Sequence, residues 1–348
     1  MAISKTSVSP KSFQLGIIKE AVAGTAVVSS MNLINVDSIE MPTLNPLQVV
    51  DVRHGAGRTL KQVDTLTSNK LTVKEIGFSG IADSTILPIL LENLTQDVSG
   101  AGSSGDDLFE LTNNYEPSAI EIGATTSHAN NTLTFTVVID NPVDEDYCMV
   151  FKGCVLTSLT VSGDIGEESG RIKMSGTFKT GCIPDLSPAS APTFGSTAHF
   201  NNNYFMSDFS TTKVAGVADC VMKSFSLNLE NDVQFMGFDA SGNYEVIQRA
   251  LPEVISTLDT VVKYDGNTKA LIESFEGQSI ADDAGHVDVD LQMASGTNKF
   301  GIDIDHTLMT DVTFSEEEAM FLSISQKAVA NATGANKFFS IKATNTVS

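Results

Sequence analysis

Apolar side chains in this chain recur with a period of two. In residues 132–140 (TLTFTVVID), Leu133, Phe135, Val137 and Ile139 point one way, and Thr132, Thr134 and Thr136 point the other. Residues 159–162, 171–179 (RIKMSGTFK), 224–228 (SFSLN), 286–293 (HVDVDLQM), 300–305 (FGIDID) and 321–324 alternate in the same way. Successive side chains of a strand face opposite sides of a sheet, so this pattern demands many half-buried strands. The segments are short, rich in β-branched residues and separated by Gly, Asn, Asp and Ser. They predict a mainly β, mostly antiparallel protein.

Two stretches shift to a helical period. Residues 83–96 (DSTILPILLENLTQ) carry an apolar stripe of Ile86, Leu87, Leu90, Leu91 and Leu94, with Asp83 or Ser84 as cap. Pro88 is tolerated only near the first turn, so this helix starts late. Residues 267–276 (NTKALIESFE) place Ala270, Leu271 and Phe275 on one face, with Gly277 as the stop. Residues 316–319 read as a turn before a strand.

A length of 348 residues predicts about two domains. The boundaries fall at 1–181 and 221–348, around a connector at 182–220. The connector opens with IPDLSPASAP, where Pro184, Pro188 and Pro192 recur, and continues through the asparagines at 201–203. The two parts share an order of elements: strand, helix, strand, strand, acidic turn, strand. Residues 151–179 align without gaps on 300–328, Phe151 on Phe300 and Lys179 on Ala328, with DIGEESG (164–170) and SEEE (315–318) near the turns. This order predicts an internal duplication of two β-sandwich or barrel domains, each with a flanking helix.

Charge and motifs narrow the function. Lys and Arg number 21 against 43 Asp and Glu, a net charge of −22. Gripping nucleic acid or an anionic membrane needs the opposite balance. The longest apolar run, 86–91, is too short to span a bilayer, and the N-terminal stretch lacks the apolar core of a signal peptide. Cys148, Cys154, Cys182 and Cys220 lack paired zinc spacing and read as reduced thiols. His54, His128, His199, His286 and His306 are scattered, and no G-x-S-x-G elbow occurs. GAGSSG at 100–105 has the letters of a dinucleotide fingerprint. A helix precedes it, however, and Asp106 and Asp107 sit where pyrophosphate would lie, so it reads as a flexible loop. The acidic run 140–147 lacks the ligand spacing of an EF-hand and reads as a solvated loop. No catalytic residue, metal or cofactor is expected.

The segment 153–181 (GCVLTSLTVSGDIGEESGRIKMSGTFKTG) resembles the C-terminal hairpin region of tail tube proteins from long-tailed, non-contractile bacteriophages. Gly153, Cys154, Ser158, Leu159, Gly170, Arg171, Lys173, Ser175, Gly176, Thr177 and Lys179 carry the match. FQLGIIKEAVAGTAV (13–27) and MNLINVDSIEM (31–41) look like the family's N-terminal arm and first strand. The resemblance implies two packed β-sheets with a flanking helix, assembled into six-fold or pseudo-six-fold rings. It implies that inner strands join into a barrel, and that rings stack into a tube through which DNA passes unbound. Two such domains per chain imply a homotrimeric ring; one domain with an insertion implies a homohexamer. The implied partners are further copies and other tail proteins, with no membrane. The implied location is the virion tail, after assembly in the host cytoplasm.

Asp288 and Asp290 share one strand face, as do Asp303 and Asp305, while Val287, Val289, Ile302 and Ile304 turn the other way. Two readings stand. The carboxylates line a channel and repel phosphate evenly, or they are solvated residues of an outer face. The loop containing Gly100, Gly102, Gly105, Asp106 and Asp107 is an expected inter-ring or inter-subunit contact. The rival functions are a capsid decoration or tail-completion protein of related fold, and an all-β enzyme or carbohydrate-binding module. The absence of Trp speaks against sugar stacking.

Overall fold

The computed structural model describes residues 9–50, 65–95, 97–99, 105–112, 118–128, 132–142, 147–195, 202–269, 272, 286–293, 298–316, 320–330 and 337–345. The first part of the chain forms β1 (Gln14–Lys19), β2 (Asn32–Ile34), β3 (Val36–Glu40), β4 (Pro46–Val50), β5 (Thr65–Leu71) and β6 (Lys74–Ile81), then helix α1 (Ile86–Leu94). After it come β7 (Asp97–Ser99), β8 (Gly105–Thr112), β9 (Ala119–Glu121), β10 (Phe135–Asp140), β11 (Met149–Asp164) and β12 (Lys173–Thr180). The second part forms β13 (Phe209–Lys213), β14 (Met222–Met236), β15 (Val246–Lys263), β16 (Val287–Met293), β17 (Phe300–Glu316), β18 (Met320–Ala328) and β19 (Lys337–Asn345). The mainly β expectation holds, and every paired strand is antiparallel.

The same pairing order occurs twice. β1–β10–β11–β12–β6–β3 in the first part matches β13–β16–β17–β18–β15–β14 in the second. In each set a long strand, β11 or β17, leaves one sheet and enters the other. Irregularities match as well. Thr157 bulges out of the β11–β12 ladder and Thr310 out of β17–β18; Asp37 and Lys223 do so in β3–β6 and β14–β15. These bulges fix the equivalences: TSLTVS (157–162) with TDVTFS (310–315), Ser175 with Ser323, and Ser38 with Ser224. The gapless alignment therefore needs correcting. Ser158 corresponds to Asp311, not Thr307, because the first turn spans residues 163–172 and the second only 316–320.

The two sets join through a β11–β14 ladder, so one array runs β3–β6–β12–β11–β14–β15–β18–β17. On its other side lie β2–β1–β10–β11 and β13–β16–β17–β19–β8–β7. Inward residues of both layers, among them Leu159, Leu227, Val289, Ile302 and Ile324, share one core cluster. β13 lies within the stretch expected as a connector, where it occupies the place that β1 has in the first set.

Helix α1 begins late, as Pro88 requires. Asp83 Oδ1 accepts from the Thr85 and Ile86 N–H groups, both at 2.9 Å, and Thr95 Oγ1 closes the far end on the Leu91 carbonyl at 2.8 Å. It is buried on nearly all sides, wider than the expected stripe, because it contacts β2, β8, β11 and β19. At the start of the second stretch expected as a helix, Asp265 Oδ1 accepts from the Asn267 and Thr268 N–H groups. Most of the stretch that follows lies outside the described residues.

Two buried charges hold the first part together. Glu20 accepts from the N–H groups of Gly24 (2.8 Å) and Gly153 (2.9 Å) and from the hydroxyls of Thr134 (2.7 Å) and Thr136 (2.9 Å). Gly24 and Gly153 both have left-handed φ, 73° and 59°, which aims their N–H groups at the carboxylate. Burial nevertheless raises the Glu20 pKa above its ordinary value. Lys74 is fully buried and donates to the Cys182 carbonyl at 2.8 Å. Burial lowers its pKa to about 8 from the ordinary 10.5. Between those values the unfolded chain holds the proton and the folded chain does not, so stability rises with pH there. Lys74→Met is expected to remove that rise, which denaturant melts of both proteins between pH 8 and 10.5 would reveal.

Candidate functional site

The eight-strand array presents its outward face as rows of small polar groups. One row crosses Ser38, Ser79, Ser175, Thr160, Asn228, Thr257 and Lys327 in direct register. The next crosses Lys173, Ser162, Ser226, Asp259 and Ser325 to Asp311. Strand alternation produces this: Leu159, Val161, Leu227 and Leu229 face the core, and the residues between them face out. Neighbouring hydroxyls bond to each other and to amides, as in Ser38–Ser79 at 2.8 Å and Thr160–Asn228 at 3.0 Å. Two cations here are paired: Lys179 with Glu75 at 3.0 Å, and Lys173 with Glu167 and Glu168 at 3.2 and 3.3 Å. Two shallow depressions open on this face, one around Ser79, Thr160 and Ser175, the other around Thr177, Glu230 and Asp232. A hydroxyl-rich surface with few cations, two of them paired to carboxylates, gives a phosphate backbone little electrostatic hold.

Both ends of the array are open. Among the described residues, β3 pairs only with β6, and β17 beyond Thr307 pairs only with β18. Exposure marks the difference between joined and open strands. Val161 and Leu227, at the β11–β14 joint, are 0% and 1% exposed; their equivalents, Phe314 on the open edge of β17 and Met41 one residue past the end of β3, are 52% and 44% exposed.

Of the four aspartates, Asp290 lies directly opposite Asp303, with Val289, Leu291, Ile302 and Ile304 buried behind them. Asp288 forms an ion pair with Lys213. They stand on the β13–β16–β17 layer, across the core from the eight-strand array. The expected loop containing Gly100 to Asp107 is narrower than its composition suggests. Gly105, Asp106 and Asp107 belong to β8, with Asp107 buried opposite Ala343; Gly100 and Gly102 lie outside the described residues. Residues 143–146 of the acidic run also lie outside them.

The hairpin residues have identifiable duties. Gly153 donates to Glu20, and a Cβ added there would meet Cys182 Sγ at 2.9 Å. Gly176 allows β11 and β6 to close in: a Cβ there would lie 2.7 Å from the Ser158 carbonyl and 3.0 Å from the Phe78 ring. Gly170 turns the chain at φ 75°, Arg171 bridges to Phe205, and Lys173 holds the turn carboxylates. Ser158 faces out and Leu159 into the core. Among the described residues, no group of three or more His, Cys, Asp or Glu is placed to hold a metal ion, and no helix is long and apolar enough to cross a membrane. Sequence reasoning missed the open edges at Phe314 and Met41; the TSLTVS and TDVTFS match is the signal that leads to them.

A protein-family model described as phage tail tube protein matches residues 13–328. No curated protein matches the chain.

Proposed function

We propose a ring-forming, DNA-conducting role for this chain, which belongs to the phage tail tube protein family. Membership carries a structural place in the virion tail, with self-association and contact with other tail proteins. The finer reading is a tube of the long-tailed, non-contractile type, built from stacked rings of three chains after assembly in the host cytoplasm. Each chain counts as two tail-tube units, 1–181 and 221–348, and three chains bring six units to a ring. The observation that carries this is the doubled pairing order, laid side by side in one array with an open strand at either end. An open edge is a hazard unless paired, and closure into a barrel pairs every edge.

In this reading the hydroxyl-rich face of the array lines the channel, because it is the surface that both units build together. Asp288, Asp290, Asp303 and Asp305 then face outward, and the second of the two sequence readings is preferred. Three arrays make a barrel of 24 strands. At about 4.8 Å between strands and a tilt of about 40°, its backbone diameter is about 48 Å. Electron-microscopic averages along the tube axis test the reading. The expected result is three chains of 37.0 kDa per ring and a barrel wall near that diameter. Six chains per ring with a wall of about 96 Å, or compact particles without an axial hole, would overturn it.

A further inference from the structure

We propose that the ring closes by repeating the chain's own β11–β14 joint: residues 311–316 of β17 pair antiparallel with residues 39–44 of the next copy, Phe314 opposite Met41. The proposal rests on the ring reading above and adds the partner strand and its register.

The register follows from the two equivalent sets. Inside the chain Val161 lies opposite Leu227, Ser162 opposite Ser226 and Leu159 opposite Leu229. Replacing each β11 residue by its β17 counterpart, and each β14 residue by its β3 counterpart, puts Phe314 opposite Met41, Ser315 opposite Glu40 and Val312 opposite Thr43. Both members of the Phe314–Met41 pair are large apolar residues in water at an open edge, and both equivalents are buried in the internal joint. Joining the edges gives Phe314 and Met41 the cover that Val161 and Leu227 already have.

Backbone chemistry agrees. The Ile165 N–H donates to the Lys223 carbonyl at 3.0 Å, continuing the β11–β14 ladder. In antiparallel pairs, doubly bonded and non-bonded positions alternate. Val161–Leu227 is therefore a bonded pair, and Thr160–Asn228 and Ser162–Ser226 are non-bonded pairs. Carried to the open edges, Phe314–Met41 is bonded, and Thr313–Pro42 and Ser315–Glu40 are non-bonded. Pro42 has no N–H to give, and this register asks for none there. A slip of one residue would set Pro42 at a bonded position and turn the apolar edge residues to the wrong face.

Cysteine pairs in the full-length chain test the register. Non-bonded antiparallel partners stand about 4.5 Å apart at Cα, within disulfide range. The four native cysteines are buried and do not compete. Assembled tubes of Ser315→Cys/Glu40→Cys are expected to oxidise to a covalent ladder ending at the closed ring, seen on non-reducing gels. The displaced pair Ser315→Cys/Ser38→Cys is expected to give no ladder. Hydrogen exchange on the unmodified chain supplies an independent reading: amides of Ile39, Met41, Val312 and Phe314 should slow by about tenfold or more on assembly. Tubes that form without the first ladder, with only the displaced one, or without that protection would overturn this joint and leave the ring standing. Unmodified chains that never form rings would overturn the ring reading itself.

Discussion

Phe314→Asp is expected to yield a folded chain that forms no tubes. At the open edge Phe314 makes an edge-on contact with Tyr264, ring centroids 5.5 Å apart, and is otherwise half in water. Its loss should cost the single chain about 1 kcal/mol or less. In the proposed joint the same position lies over Met41 of the next copy, shut off from solvent, where an unpaired carboxylate is strongly unfavourable. A charge on an edge strand is also a known way to prevent strand addition. Size-exclusion chromatography and negative-stain microscopy should show monomer where the unmodified chain polymerises, with a nearly unchanged melting temperature. Phe314→Leu should still assemble. Normal tubes from Phe314→Asp would mean that this edge is not a contact.

Glu20→Gln should be the most damaging conservative change in the fold. Four donors converge on the two carboxylate oxygens, and a carboxamide has only one acceptor oxygen. Its NH2 group would face two N–H or O–H donors inside the protein, leaving them unsatisfied. The expected loss is about 3 kcal/mol, with a melting temperature lower by about 4 °C. Glu20 ties the chain after β1 to β10 and β11, so the damage should spread to the Gly153 end of the hairpin. Calorimetry of the two proteins at pH 7 decides the point; equal melting temperatures would show that the four contacts carry no net stability.

Much of the fold is legible in the one-dimensional pattern because strand alternation and helix capping are local. Residues 132–140, 171–179 and 286–293 alternate and fall in β10, β12 and β16; Asp83 and Pro88 announce where α1 begins. The strand faces shared by Asp288 with Asp290 and by Asp303 with Asp305 are equally local. Which layer carries those faces is not, because it depends on β16 finding β13 and β17 while β11 finds β14, a pairing across many residues. The doubling of the unit is readable as an order of elements. Its phase is hidden by the unequal turns at 163–172 and 316–320, which a gapless comparison cannot absorb. The open edge is the least legible feature: Phe314 and Met41 alternate like any core residues, and only the array shows that, among the described residues, no strand covers them.

The covalent linkage of the two units bears on how a ring could come together. In a three-chain ring, every second joint is already made inside a chain, where the tether keeps its two strands at high effective concentration. Only the remaining joints must be found by diffusion, which leaves fewer encounters before closure and fewer places for an incomplete arc to stall. The tethered joint is also relieved of any need to recognise a stranger, so its two strands are free to drift in sequence away from the pair that meets between molecules.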